Sequence, residues 1–221
     1  MLAKDLISEE IPAIRTSDTA VEALNWMEVF RVSHLPIVNN EEFLGLISDA
    51  DIYDMNTPEE AIGNHRLSLI RPYVRYDQHI YEIIELASRL KLTVVPVLDY
   101  HNKYIGLVRM SDLLHYFSKL TAIEKPGGII VLELSQNDYS MSEIAQIVES
   151  NNAKILSMYL TSASDTTKIE VTLKLNVTDL TAIIQTFNRY EYSIKASFME
   201  YDEQDDLYNS RYELFMKYLN I

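Results

Sequence analysis

Apolar residues along the chain follow two spacings that alternate. Ala20, Ala23, Leu24, Met27 and Phe30 recur with the helical period. Just ahead of them, Thr19-Ala20-Val21-Glu22 has the form of a capping box, in which the hydroxyl takes an orphan amide and the carboxylate reaches back. Short apolar runs at 35–38 and 43–47 flank a polar turn at 39–42 and predict paired strands. Residues 49–55 begin a further helix. Upstream, residues 1–18 read as a helical turn, a loop through Pro12 and a brief extended segment at 13–15. Thr57-Pro58-Glu59-Glu60 again has a helix-start composition, with Gly63 ending the turn.

The same order then returns. A strand is predicted at 71–75, a helix on Ile80, Ile83, Ile84, Ala87 and Leu90, strands at 94–98 and 104–108, and a helix from about 111 to 120. Glu22 and Pro36 have counterparts in Glu82 and Pro96, sixty positions on; Gly45 and Asp51 have theirs in Gly106 and Asp112, sixty-one on. The one-residue slip falls in the turn between the strands, where insertions are tolerated. Each copy offers one amphipathic helix and a small sheet, too little to form a core alone, so the two must pack together.

Lys125-Pro126-Gly127-Gly128 breaks this pattern and is the predicted linker. Beyond it lie a strand at 129–134, a capping box Ser140-Met141-Ser142-Glu143 opening a helix with Ile144, Ile147 and Val148 on one face, and a strand at 155–161. Ile169, Val171, Leu173 and Leu175 alternate with polar residues, as in a half-buried antiparallel strand. Thr178-Asp179 starts a helix bearing Leu180, Ile183, Ile184 and Phe187, and residues 193–198 close with a strand. That βαββαβ order is ferredoxin-like. A short acidic run at 201–206 precedes a predicted final helix at 207–221, whose apolar face includes Tyr208, Tyr212, Phe215 and Leu219.

Helix, hydrophobic-Pro-hydrophobic strand, turn, then Gly-x-x-(Ser)-x-x-Asp, given twice over residues 1–120 with the Ser present only in the first copy, resembles a tandem pair of CBS domains, a Bateman module. The following βαββαβ segment, over about 127–200, resembles an ACT domain. ACT ligand loops carry a Gly between the first strand and first helix, whereas here that loop is Gln136-Asn137-Asp138-Tyr139-Ser140. A looser resemblance extends over the full length to the acetoin-utilisation accessory type of CBS protein.

Composition narrows the function. The formal charge of −14 speaks against a phosphate backbone or an anionic membrane surface as partner. No apolar run reaches the roughly 18 residues of a membrane span. Cysteine is absent, which excludes disulfides, thiol catalysis and thiolate metal sites. The N-terminus lacks the form of a signal peptide, so a cytoplasmic location is expected. The five histidines form no metal-binding spacing, and no Gly-x-Ser-x-Gly elbow or phosphate-cradling glycine loop occurs. Catalysis is not expected.

The candidate chemistry sits in the repeat. Ser48 and Asp51, three apart at a helix start, can reach one ligand. The resemblance implies that they hold the ribose of an adenine nucleotide (AMP, ADP or ATP), with helix amides favouring the phosphate. As plain helix caps they would need no ligand, and the same holds for Asp112. Arg109 replaces the hydroxyl in the second copy; it could clamp phosphate, pair with Asp112 or fill the second cleft. Thr16 and Arg75 precede the repeat helices, where the resemblance places them along the nucleotide cleft; as loop residues they would be merely exposed. The expected protein is therefore α+β, with CBS repeats at 1–60 and 61–122, an ACT-like ferredoxin-fold domain at 127–200 and a C-terminal helix at 207–221. It would be a non-enzymatic sensor without a resident cofactor, a homodimer signalling to an unidentified protein partner. The alternative is a constitutive interaction module without a small-molecule ligand.

Overall fold

The computed structural model describes residues 1–65, 69–162 and 167–199. The predicted helix at 207–221 lies outside them. Contacts divide the chain into two compact units between Tyr116 and Phe117.

In the first unit, α1 (Ala20–Phe30) starts at Thr19, whose Oγ1 accepts from the Glu22 amide (3.2 Å) while Glu22 Oε2 accepts from the Thr19 amide (2.9 Å). The capping box is thus formed in both directions, and it directs Ala20, Ala23 and Met27 into the core. Strands β1 (His34–Asn39) and β2 (Glu42–Ser48) pair antiparallel, and α2 (Asp49–Tyr53) follows directly. The second copy repeats this with β3 (Val74–Arg75), α3 (Ile80–Leu90), β4 (Val94–Leu98), β5 (Tyr104–Arg109) and α4 (Met110–Leu120). The likeness extends to backbone conformation: α1 and α3 both end on a left-handed non-glycine residue, Arg31 (φ 54°) and Lys91 (φ 55°). One core of Leu35, Ile37, Ile47, Ile83, Val95 and Val108 joins the copies, which is why neither repeat needs a core of its own.

The expected helix start at 57–60 gives only a turn. The Glu60 amide closes that turn on Thr57 O, Pro58 O accepts from Val21, and the Ile62 and Gly63 amides that would continue a helix donate instead to Asp18 O and Thr16 O. A three-residue 3-10 turn, Ile62–Asn64, is all that forms.

The second unit has β6 (Ile129–Ser135), α5 (Met141–Ser150), β7 (Ile155–Ser162), β8 (Lys168–Leu175), α6 (Thr181–Arg189) and β9 (Ser193–Phe198). Its strands lie in the order β7-β8-β6-β9, all antiparallel, the ferredoxin-like arrangement. Ile130, Leu132, Val171 and Leu173 point to one face and pack on Ile144, Ile147, Ile183 and Phe187 of the two helices. Ser140 caps α5 as predicted, through the Glu143 amide (3.4 Å). The Glu143 carboxylate does not complete the box; it accepts from the Tyr192 hydroxyl at 2.8 Å.

The predicted linker is not loose. Gly127 and Gly128 are buried, the Gly128 amide donates to Val177 O (2.7 Å), and Gly128 O accepts from Leu175 (2.9 Å). The glycines serve close packing: a Cβ at Gly127 would lie 1.9 Å from the Leu175 carbonyl oxygen.

Candidate functional site

The turn from β2 into α2 is built by its own residues. Ser48 Oγ accepts from the Asp51 amide (3.1 Å), and Asp51 Oδ2 accepts from both the Ser48 amide (2.8 Å) and the Ser48 hydroxyl (2.7 Å). Ser48 and Asp51 are therefore reciprocal caps. Capping uses one carboxylate oxygen; Oδ1 accepts no hydrogen bond among the described residues, and Asp51 is exposed. An acceptor aimed at solvent from a rigid turn can take a diol proton without reorganising.

The second turn differs. Arg109 Nε donates to Asp112 Oδ2 at 2.7 Å, and its terminal nitrogen pairs with Glu10 at 2.9 Å. Of the three roles open to Arg109, the structure displays the ion pair. The hydrogen bond that Arg109 donates to Asp112 leads the effects that raise the guanidinium pKa, so the charge is firmly held. Glu10 carries no repeat counterpart and no motif, and nothing in the sequence singled it out.

Thr16 and Arg75 do not join these turns. Thr16 exchanges hydrogen bonds with Asn39, at the hairpin end of β1 (2.9 and 3.3 Å). Arg75 reaches Asp99 O (3.4 Å) and Asn102 (3.2 Å) in the second hairpin turn. Ser48 and Arg109 close the opposite ends of β2 and β5, so a strand's length, roughly 20 Å, separates the two groups.

A junction unpredicted from sequence ties the turns together. The Ser33 amide donates to Thr93 Oγ1 (3.0 Å), the Asp49 amide to Ser33 O (3.1 Å), and the Met110 amide to Thr93 O (3.0 Å). Both helix starts thus hang on Ser33 and Thr93, which are repeat equivalents sixty positions apart; that spacing was the available signal. Thr93 Oγ1 and its amide also approach His34 Nδ1 (3.1 and 3.4 Å), an arrangement that suits an unprotonated nitrogen. Burial lowers the His34 pKa from its ordinary 6.5, opposed by the carboxylates of Asp49 and Asp51. A depressed folded pKa means that the unfolded chain binds the proton first, so this contribution is complete above pH 6.5 and fades as pH falls below it. Thermal melts between pH 7 and 5 should show His34→Gln less acid-sensitive than wild type; equal slopes would contradict the assignment.

Groups of three or more His, Cys, Asp or Glu placed to hold a metal are absent among the described residues. No helix among them is long and apolar enough to cross a membrane.

The CBS-domain family matches residues 3–55 and 69–119, and the chain carries two CBS domains in tandem. Inosine-5'-monophosphate dehydrogenase of Methanocaldococcus jannaschii is 26% identical over 113 residues, which cover 51% of this chain and 23% of the enzyme. The chain therefore spans only about a quarter of that relative's length. A CBS domain-containing protein of Dictyostelium discoideum is 27% identical, over 54% of this chain and 93% of its own. Among solved structures, a CBS domain pair/ACT domain protein from Thermotoga maritima aligns with a TM-score of 0.48 at 21% identity, covering 54% of this chain and 98% of that one. CBSX2 in complex with AMP aligns at 0.47 and 18%, covering 53% and 96%.

Proposed function

We propose that this tandem CBS protein is a non-enzymatic, cytoplasmic regulator that binds an adenine nucleotide at the Ser48–Asp51 turn and passes its occupancy to a protein partner. The observation that carries this is the unequal state of the two turns. Asp51 keeps an exposed oxygen that accepts no hydrogen bond among the described residues, while Asp112 is neutralised by Arg109. A ribose diol needs the former. The Ser33–Thr93 junction gives the two helix starts a common anchor, through which a ligand favouring one packing would shift the population. Calorimetric titration with AMP, ADP and ATP tests the reading, and absence of heat with all three would refute it.

The second reading, a constitutive interaction module, is favoured by Arg109, Glu10 and Asp112 filling the second turn with protein groups. In either reading we place the ACT-like domain at 127–200 and assign no nucleic-acid partner. A homodimer is expected from apolar side chains left on the repeat helices. Val29 is 66% exposed, Tyr53 74%, Tyr81 63% and Leu114 71%. Light scattering should give twice the 25.6 kDa chain mass at micromolar concentration; a monomer mass would remove this part of the proposal.

A further inference from the structure

Strand alternation in the second unit leaves one sheet face turned away from α5 and α6. Ser157 and Tyr159 of β7 lie opposite Lys174 and Thr172 of β8 on that face, beside Ile129 of β6. Residues just after the unit's start cross it, and Ser157 Oγ anchors them by donating to Thr121 O at 2.7 Å. Between these layers is a cavity of 390 Å³, walled by Phe117, Ile123, Ile129 and Tyr159, with Thr172 and Lys174 as its polar side chains on β8. That volume is in the range of small-molecule sites, about 300–1,000 Å³.

The lining specifies charge as well as size. Lys174 Nζ gives one proton to Gly127 O at 2.7 Å and has no carboxylate partner among the described residues. Its neighbours on the sheet are matched differently: Lys168 pairs with Glu133, and Lys195 with Glu170. Two ammonium protons of Lys174 are left for a ligand, and no Asp or Glu lines the cavity. A cation at an apolar cavity wall favours an anion able to accept its remaining protons. A zwitterion gains less, because its own ammonium would meet Lys174 with no carboxylate to receive it.

We propose that this cavity binds a small carboxylate with an apolar body, such as an arylalkyl or short alkyl acid, its carboxylate on Lys174 and Thr172 and its body between Phe117, Ile123, Ile129 and Tyr159. The site uses none of the CBS residues, so its failure and that of the nucleotide reading are separable.

Ligand-observed NMR and calorimetry on the full chain, with phenylacetate, 2-phenylethanol, phenylalanine and hexanoate, provide the test. Phenylacetate and hexanoate should bind, and phenylacetate should exceed both the alcohol and the amino acid by about tenfold or more, as a charged hydrogen bond implies. Lys174→Met should abolish the preference of acid over alcohol while leaving an apolar wall. Thr172→Asp, which sets a competing carboxylate beside Lys174, should remove acid binding without touching the Gly127 bond; circular dichroism checks that both variants are folded. No acid binding at millimolar concentration, equal binding of acid and alcohol, or an unchanged acid preference in folded Lys174→Met would each overturn the proposal.

Discussion

Asp51→Ala is expected to weaken binding of AMP or ATP by about ten- to a hundredfold, the equivalent of roughly 1.5–3 kcal/mol for a hydrogen bond to a charged acceptor. The variant also loses the acceptor for the Ser48 amide, a cap worth about 1 kcal/mol, so it should remain folded. Asp112→Ala is the comparison. Its carboxylate already receives the Arg109 guanidinium, and Arg109 retains Glu10 when Asp112 is gone. Nucleotide affinity should therefore change little. Calorimetric titration of the three proteins checks the contrast, and equal losses in both variants would contradict the asymmetry between the turns.

Gly127→Ala should be the most destabilising single-methyl change in the second unit. Gly127 adopts φ +145°, which side-chain-bearing residues avoid, and the added Cβ would stand 1.9 Å from the Leu175 carbonyl oxygen. Backbone strain of about 1–3 kcal/mol and overpacking of similar size both apply. The melting transition of that unit should fall by roughly 10–20 °C, since about 1 kcal/mol moves a domain of this size by several degrees. Gly128→Ala meets only the Leu180 side chain, at 2.6–2.7 Å, and a rotamer change can relieve that. Scanning calorimetry should rank the two; a Gly127→Ala shift below about 2 °C would show that the close approach is not maintained in solution.

Much of the fold was legible because its signals are local. The Thr19–Glu22 box, the apolar stripes of α1 and α3 and the alternation in β8 are properties of consecutive residues, and each formed where expected. The departures occur where distant groups compete for a local one. Glu143 turns from its own helix cap to Tyr192, and the Pro58 carbonyl and the Ile62 and Gly63 amides bond to residues 16–21 instead of continuing a helix. Lys-Pro-Gly-Gly at 125–128 suggests a linker by composition, yet the missing side chain at Gly127 admits the Leu175 backbone. The motif glycines behave alike: a Cβ at Gly45 would meet Leu69 and Ile70 O at 2.7 and 2.8 Å, and one at Gly106 would meet Ile7 at 2.4 Å.

Of the candidate site, the sequence by itself determined the two turns, because Ser48–Asp51 and Arg109–Asp112 each interact across three residues of one chain segment. It also determined the duplicated architecture, since a repeat is a property of the sequence. Only the tertiary structure decided that Glu10 joins Arg109, that Thr16 and Arg75 stand a strand's length away, and that Ser33, His34 and Thr93 link the copies. Those contacts join residues many positions apart. Which side chains meet there depends on how the strands and loops pack, and neither periodicity nor capping records that information.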